Sequence, residues 1–222
     1  MIRLTGITKT YPDGNNSLRQ VLRGLSLSLA RGEFLAVMGA SGSGKTTLLS
    51  ILGALIAPDG GEYLLEGQSV FDGRRTDLAD LRNRRIGFVF QEHRLMPQLC
   101  LRDNILLPVL AAQSKATAEQ AEYAQLLMEL SGIAPLARQY PRQVSGGEAG
   151  RTALCRALIM KPALLLADEP TGRLDSRTAC NIMELLQRIN RELGTTVVMV
   201  SHSADTASAA QRILTLANGL LS

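Results

Sequence analysis

The stretch Gly39-Ala40-Ser41-Gly42-Ser43-Gly44-Lys45-Thr46 constrains this chain more than any other. It fits G-x-x-x-x-G-K-[ST] and stands between two runs of different period. Before it, Phe34-Leu35-Ala36-Val37-Met38 is a short apolar run of the kind a buried strand gives. After it, Thr47-Leu48-Leu49-Ser50-Ile51-Leu52 continues at helical spacing. A strand, a glycine-rich turn and a helix start in that order make a phosphate-binding loop. Glycines let the backbone approach an anion, and successive N–H groups at a helix N-terminus face it. Lys45 adds a full charge toward β and γ oxygens, and the Thr46 hydroxyl suits Mg²⁺. By itself the loop predicts a nucleoside triphosphate pocket and no more.

The rest of the chain fits an α/β unit around that loop. Ile2 to Ile7 alternates as a strand, Pro12-Asp13-Gly14 reads as a turn, and Val21 to Leu29 alternates cleanly from Gly24 onward. Together these predict a small N-terminal antiparallel layer. Pro58-Asp59-Gly60-Gly61 marks another turn, and Glu62 to Gly67 another strand. Ile86-Gly87-Phe88-Val89-Phe90 is β-rich and stops at Gln91. From residue 92 to about 160 the signals turn helical. Thr117-Ala118-Glu119-Gln120 is a capping box, Ala121, Ala124, Leu127 and Leu130 share a face, and Gly132 terminates the helix. Leu164-Leu165-Leu166-Ala167 and Thr196-Val197-Val198-Met199-Val200 are continuous apolar runs, as in parallel strands covered on both faces. Ile182, Leu185, Leu186, Ile189 and Leu193 make a helical stripe between them, closed by Gly194. A last strand and turn span Arg212 to Gly219. A helical lobe is thus predicted between two strand-rich parts of one domain.

Composition excludes several classes. No apolar window approaches the length of a membrane-spanning helix, and Met1-Ile2-Arg3-Leu4-Thr5 lacks the pattern of a signal peptide, so a cytoplasmic protein is expected. Cys100, Cys155 and Cys180 are too few and too scattered for a disulfide framework or a zinc site, and they read as small buried or half-buried fillers. The net charge of +4 is mild, and the one basic cluster is Arg82, Arg84 and Arg85. That cluster suits a solvated helix face, with nucleic acid or anionic lipid as the other reading. The absence of Trp leaves little to stack bases on.

Strands in such sheets end at the chemistry, and several here end in polar residues. Asp168, after an apolar strand, is expected to anchor Mg²⁺ through water, and its neighbour Glu169 to polarise an attacking water. His202 follows the Thr196 strand and is expected beside the γ-phosphate, although Ser201, Ser203 and Asp205 also suit a helix start there. Gln91 reads equally as a strand terminator or a neutral ligand of Mg²⁺ and water. His93 is read as structural. Val144-Ser145-Gly146-Gly147-Glu148, opening the helix-like run from Arg151 to Leu158, is either a plain N-cap or a second anion-facing helix start. A second such start hints at a site shared between two copies.

These residues, in this order, resemble the ATP-binding subunits of ABC transporters over essentially the whole chain. The resemblance implies a RecA-like phosphate-loop ATPase core with an N-terminal antiparallel β layer and an inserted helical subdomain. Residues 1–91 and 161–222 would form the core and β layer, and about 92–160 the inserted subdomain. It also implies roles. Tyr11 looks like the aromatic that stacks on adenine. Gly39 to Thr46, with Thr47 beside them, look like the Walker A loop, and Gln91 like the Q-loop residue facing Mg²⁺ and the membrane partner. Val144 to Glu148 look like the signature motif, whose Ser145, Gly146, Gly147 and Glu148 would meet ATP held by the other subunit. Leu164 to Asp168 resemble Walker B, Glu169 the catalytic carboxylate, Gly172-Arg173-Leu174-Asp175 the D-loop and His202 the switch histidine. ATP and Mg²⁺ would be bound by a head-to-tail homodimer.

Within the family, Ile86 to Gln91, Leu166 to Gly172 and Thr195 to Val200 are most similar to the short subunits of lipoprotein-release, macrolide-efflux and cell-division systems. That likeness implies a peripheral protein on the cytoplasmic face of the inner membrane, driving a permease contacted near Gln91 and the helical subdomain, with no nucleic acid. A regulatory scaffold on a membrane partner is the alternative it leaves open, and a soluble cassette acting on nucleic acid a more distant one. Some positions depart from the family pattern. Val144 replaces Leu, Glu148 replaces Gln, Ala149-Gly150 replaces a polar pair, and Ser203 stands where Asp is frequent. The first two changes should be tolerated if Ser145 and the glycine backbone supply the anion contacts. Gly150 should cost its helix about 0.5 to 1 kcal/mol against alanine.

Overall fold

The computed structural model describes residues 1–14, 17–72, 78–172 and 174–222. Strand β1 (Ile2–Asp13) folds back onto β2 (Ser17–Leu29), and β4 (Gly60–Leu65) and β5 (Gln68–Ser69) extend the antiparallel sheet in the order β2-β1-β4-β5. The hairpin is longer than its alternation predicts. Pairing runs on through Pro12↔Leu18, beyond Thr8↔Gly60, where β1 has already lost its second neighbour. In that two-stranded arm Ser17, Leu18, Arg19 and Gln20 are all exposed, so no buried face imposes a period of two and the strand is invisible to patterning. Tyr11 lies in this arm.

The second sheet has the order β10-β9-β3-β8-β7-β6, where β3 is Phe34–Met38, β6 Ile86–Val89, β7 Leu164–Asp168, β8 Thr196–Ser201, β9 Arg212–Ala217 and β10 Leu220–Leu221. All its neighbours are parallel except the β9–β10 edge. Its apolar runs are continuous because each face meets a different core. Phe34, Ala36, Leu165, Ala167, Val197 and Met199 join one cluster. The residues between them, Leu35, Val37, Leu164, Leu166, Val198 and Val200, join the other. The second cluster lies under the antiparallel sheet and buries helix α1 (Lys45–Leu52) through Leu48, Leu49, Ile51 and Leu52.

The first cluster lies under the other helices. These are α3 (Leu101–Ala112), α4 (Ala118–Leu130) and α5 (Gly146–Leu158), which come between β6 and β7, together with α6 (Ser176–Leu193). Helix α4 starts with the expected box, Thr117 Oγ1 accepting from Gln120 N and Gln120 Oε1 from Thr117 N. Two short helices complete the chain, α2 (Leu78–Arg85) and α7 (Ala204–Ala207).

One expectation is corrected. Cys180 is exposed rather than a filler, because it lies about 200° round α6 from Ile182, away from the core face. Leu193, where α6 ends, is 47% exposed. The buried residue at that end is Asn190, whose amide donates to the carbonyls of Gly32 and Thr195. The arginines of α2 lie on a face that is solvated at Arg84 and Arg85, and they are engaged within the chain. Arg82 donates to the Ala54 carbonyl, Arg84 pairs with Asp80 and Arg85 with Glu66.

Candidate functional site

Helix α1 opens without a side-chain cap. Its N-cap is Gly44 at φ 106°, and a Cβ there would lie 2.9 Å from Val21 Cγ1. Only glycine serves, and the N–H groups of the first turn are left to face an anion. Lys45 is buried, and its ammonium donates to the carbonyls of Gly39 (2.7 Å) and Ala40 (2.9 Å). Ser43 Oγ is buried with no partner, so the loop holds a polar atom without a mate.

The loop floors a cleft of about 500 Å³ lined by Tyr11, Arg19, Val21, Ser41, Gly42, Gly44, Lys45, Thr46, Thr47, Asp168, Glu169 and His202. That volume suits a ligand of nucleotide size. Three elements therefore converge: the β1–β2 arm, the loop before α1, and the ends of β7 and β8.

At the end of β7, burial and the neighbouring Glu169 carboxylate push the Asp168 carboxyl above the usual range, while Lys45 and Arg94 pull it down. Glu169 has a left-handed φ of 45°, a strained conformation for a residue with a side chain. It is held there by Glu169 N donating to the Val200 carbonyl and by its own carbonyl accepting from Gly172 N. Its Oε1 lies 3.0 Å from His202 Nδ1. Gln91 is close by. A Cβ on Gly172 would lie 3.0 Å from Gln91 Nε2 and 3.3 Å from Glu169 Oε2. Gln91 thus reaches the carboxylate side of the site without lining the cleft itself.

The remaining expected residues lie elsewhere. Ser145, Gly146, Gly147 and Glu148 are outside the cleft, at the start of α5. A Glu148 carboxylate oxygen accepts from Ser145 N (2.7 Å) and Ser145 Oγ (2.8 Å), and Ser145 Oγ accepts from Glu148 N (3.3 Å). These bonds hold the Glu148 carboxyl below its usual range. Gly147 packs on α6 so closely that a Cβ would lie 2.3 Å from Thr178 Cγ2. Asp175 caps α6, accepting from Thr178 N and Thr178 Oγ1, and does not enter the cleft. Of the stretch Gly172 to Asp175, Arg173 lies outside the described residues.

Two features escape sequence reading. Arg156 of α5 forks onto consecutive carbonyls just after Gln91, Nη2 donating to His93 O (2.6 Å) and Nη1 to Arg94 O (2.7 Å). The His93 ring lies on Gly150, where a Cβ would be 3.2 Å from His93 Cε1. The glycine that looked like a pure cost to the helix makes room for that ring. Arg19 is the second feature. Its only sequence signal is its count across the hairpin from Tyr11.

A parallel sheet with an uncapped, lysine-bearing loop at the end of β3 and carboxylates at the end of β7, one strand removed from it, defines a phosphate-loop nucleoside triphosphatase. The ABC transporter family description matches residues 22–172. Over 221 residues the chain is 44% identical to the lipoprotein-releasing system ATP-binding protein LolD 1 of Rhodopirellula baltica, covering 100% of this chain and 96% of that protein. It is 43% identical over 222 residues to the macrolide export ATP-binding/permease protein MacB of the same organism, of which it covers 32%. Among solved structures, a dimeric bacterial ABC transporter cassette superposes with a TM-score of 0.90 at 38% identity, covering 100% of this chain and 97% of that one. A dimeric post-hydrolysis state of an ATP-binding cassette, bound to ADP and Pi, matches at TM-score 0.90 and 37% identity, with the same coverage of 100% and 97%. The chain belongs to the ABC transporter family and is an ATPase subunit of it.

Proposed function

We propose that two copies of this chain, head to tail, enclose two Mg·ATP, each between the Lys45 loop of one copy and the Ser145 loop of the other. The observation that carries this reading is the separation of the two loops: the Lys45 cleft contains the acid–base pair, and the second anion-facing helix start stands outside it. A single chain leaves the cleft without the Ser145 donors.

In the step itself, Glu169 takes the proton as a water oxygen bonds to the γ-phosphorus. The bond from that phosphorus to the bridging β–γ oxygen breaks, giving ADP and phosphate. Lys45 offsets the charge on the β and γ oxygens, and His202 fixes the Glu169 carboxylate and faces the γ-phosphate. Thr46, Asp168 and Gln91 are the residues that would hold Mg²⁺. The metal, when bound, neutralises phosphate charge. The residues present fit it: Asp168 is a partly buried carboxyl on which burial and Glu169 outweigh the pull of Lys45 and Arg94. Among the described residues no group of three or more His, Cys, Asp and Glu could hold a metal.

No helix among the described residues is long and apolar enough to cross a membrane. The work is delivered to a membrane permease, a reading supported by the transport systems of the LolD and MacB relatives. A groove of about 370 Å³ beside the Gln91 strand, lined by Ala79, Arg82, Asn83, Phe88, Pro108, Ala111, Arg156 and Met160, is the surface that supports this contact. The chain would then lie on the cytoplasmic face of the inner membrane. The lipoprotein-releasing and macrolide-export relatives support a lipid, lipoprotein or other hydrophobic cargo. Purification of the native complex in detergent identifies the permease. A partner that stimulates hydrolysis supports transport, and one that recruits an extracytoplasmic hydrolase favours a regulatory scaffold.

The test of the enclosed-nucleotide reading is sedimentation of Glu169→Gln. With ATP and Mg²⁺ the variant forms a dimer that does not turn over. A variant that stays monomeric at saturating ATP, or hydrolyses normally, contradicts the reading.

A further inference from the structure

Arg19 and Tyr11 are register partners across the β1–β2 arm, and both line the cleft floored by the Lys45 loop. The Arg19 side chain leans over that loop. Its Nη2 lies 3.4 Å from the Gly42 carbonyl oxygen, at the long limit of a hydrogen bond, and 3.8 Å from where a Gly42 Cβ would stand. Its hydrogen-bond partner is this neutral acceptor, and among the described residues no carboxylate pairs with it. A guanidinium offers five donors in a planar fork that matches phosphate oxygens better than a single carbonyl. Here it is exposed, weakly held, and in the same cleft as the Lys45 ammonium, which approaches from the base of α1.

We infer that Arg19 is a second phosphate-binding cation of the nucleotide site, supplied by the hairpin. On nucleotide entry the guanidinium exchanges the Gly42 carbonyl for oxygens of the polyphosphate. Lys45 grips the chain of phosphates from beneath and Arg19 from above. Because Arg19 is tied across the strand to Tyr11, the same exchange brings the arm down over the base. The inference rests on the ATP-site reading given above and extends it to a residue outside the loop.

The experiment is calorimetric titration of the full chain and its Arg19→Ala and Arg19→Lys variants with ATP and ADP, and with adenosine by competition, at several salt concentrations. Loss of a charge-assisted phosphate contact predicts roughly tenfold weaker ATP and ADP binding in Arg19→Ala, with adenosine unchanged. Arg19→Lys recovers part of the loss, and the alanine variant shows a shallower salt dependence. Unchanged ATP affinity in Arg19→Ala overturns the inference, as does an equal loss for adenosine, which would mean that Arg19 only props the arm. Failure of the unaltered chain to bind ATP would instead sink the ATP-site reading. Thermal unfolding of each variant checks that the exposed substitution leaves the fold intact.

Discussion

The Lys45 loop and the Ser145 loop are both glycine-rich helix starts, yet their polar groups are in opposite condition. At Lys45 the helix has no side-chain cap, and Ser43 Oγ is buried without a partner. At Ser145 a full capping box closes, and the Glu148 carboxylate already occupies the backbone N–H and hydroxyl of Ser145. The carboxyls report the same contrast. Asp168, beside the first loop, is pushed up by burial and by Glu169, and Glu148, in the second, is pulled down by Ser145. One region is strained toward an incoming ligand, and the other is satisfied until a ligand displaces its own carboxylate. The second loop is therefore the one whose engagement can be conditional on the approach of another copy.

The contrast can be broken most severely at the first loop. Lys45→Ala removes the one buried cation of the cleft and should lower hydrolysis by about a thousandfold, measured as phosphate release. Next comes the seat of the second loop. Gly147→Ala puts a methyl group against Thr178 Cγ2 and should destabilise the chain by about 1 to 3 kcal/mol in denaturant unfolding. Adding Thr178→Ser, which removes that methyl and keeps the hydroxyl that bonds Asp175, should restore most of the loss.

Smaller effects sharpen the contrast through pH. A raised carboxyl binds its proton more tightly in the folded chain, so the stability tied to Asp168 is present at low pH and lost as pH rises through its folded-state range. Asp168→Asn should then raise the melting temperature of the nucleotide-free protein at neutral pH while abolishing hydrolysis. Glu148 has the opposite sign: its contribution is present above the usual glutamate range and lost as pH falls through its lowered value. Glu148→Gln should change stability at pH 7 by no more than about 0.5 kcal/mol, a neutral cap replacing a charged one. Without the carboxylate on Ser145, the ATP concentration for half-maximal hydrolysis should fall a few-fold. An unchanged or higher requirement would show that Glu148 does not compete with phosphate.

How much of this was legible in the sequence follows from where local chemistry decides the structure. The strand, loop and helix around Lys45 and the box at Thr117 to Gln120 are written in adjacent residues, and they stand in the structure at the expected positions. The exposure of Cys180 and of Leu193 is not legible, because neither the number and scatter of the cysteines nor helical spacing says what covers a face. The outer half of the β1–β2 arm, and with it Arg19, carried no alternation because both its faces meet water. Arg156 and the seat of His93 on Gly150 depend on α5 meeting the segment after Gln91, 62 and 63 residues away in the chain for the two hydrogen bonds. No local pattern encodes such a meeting.

The claim at the centre is that each ATP is held by two chains, and the most direct measurement is complementation. Lys45→Ala and Ser145→Ala should each be inactive alone. Mixed, they form one intact site per heterodimer, from the lysine of one chain and the serine of the other, and a substantial fraction of hydrolysis should return in proportion to heterodimer formed. If the mixture stays as inactive as its components while heterodimers are shown to form, Ser145 does not serve the partner's ATP and the shared site is wrong.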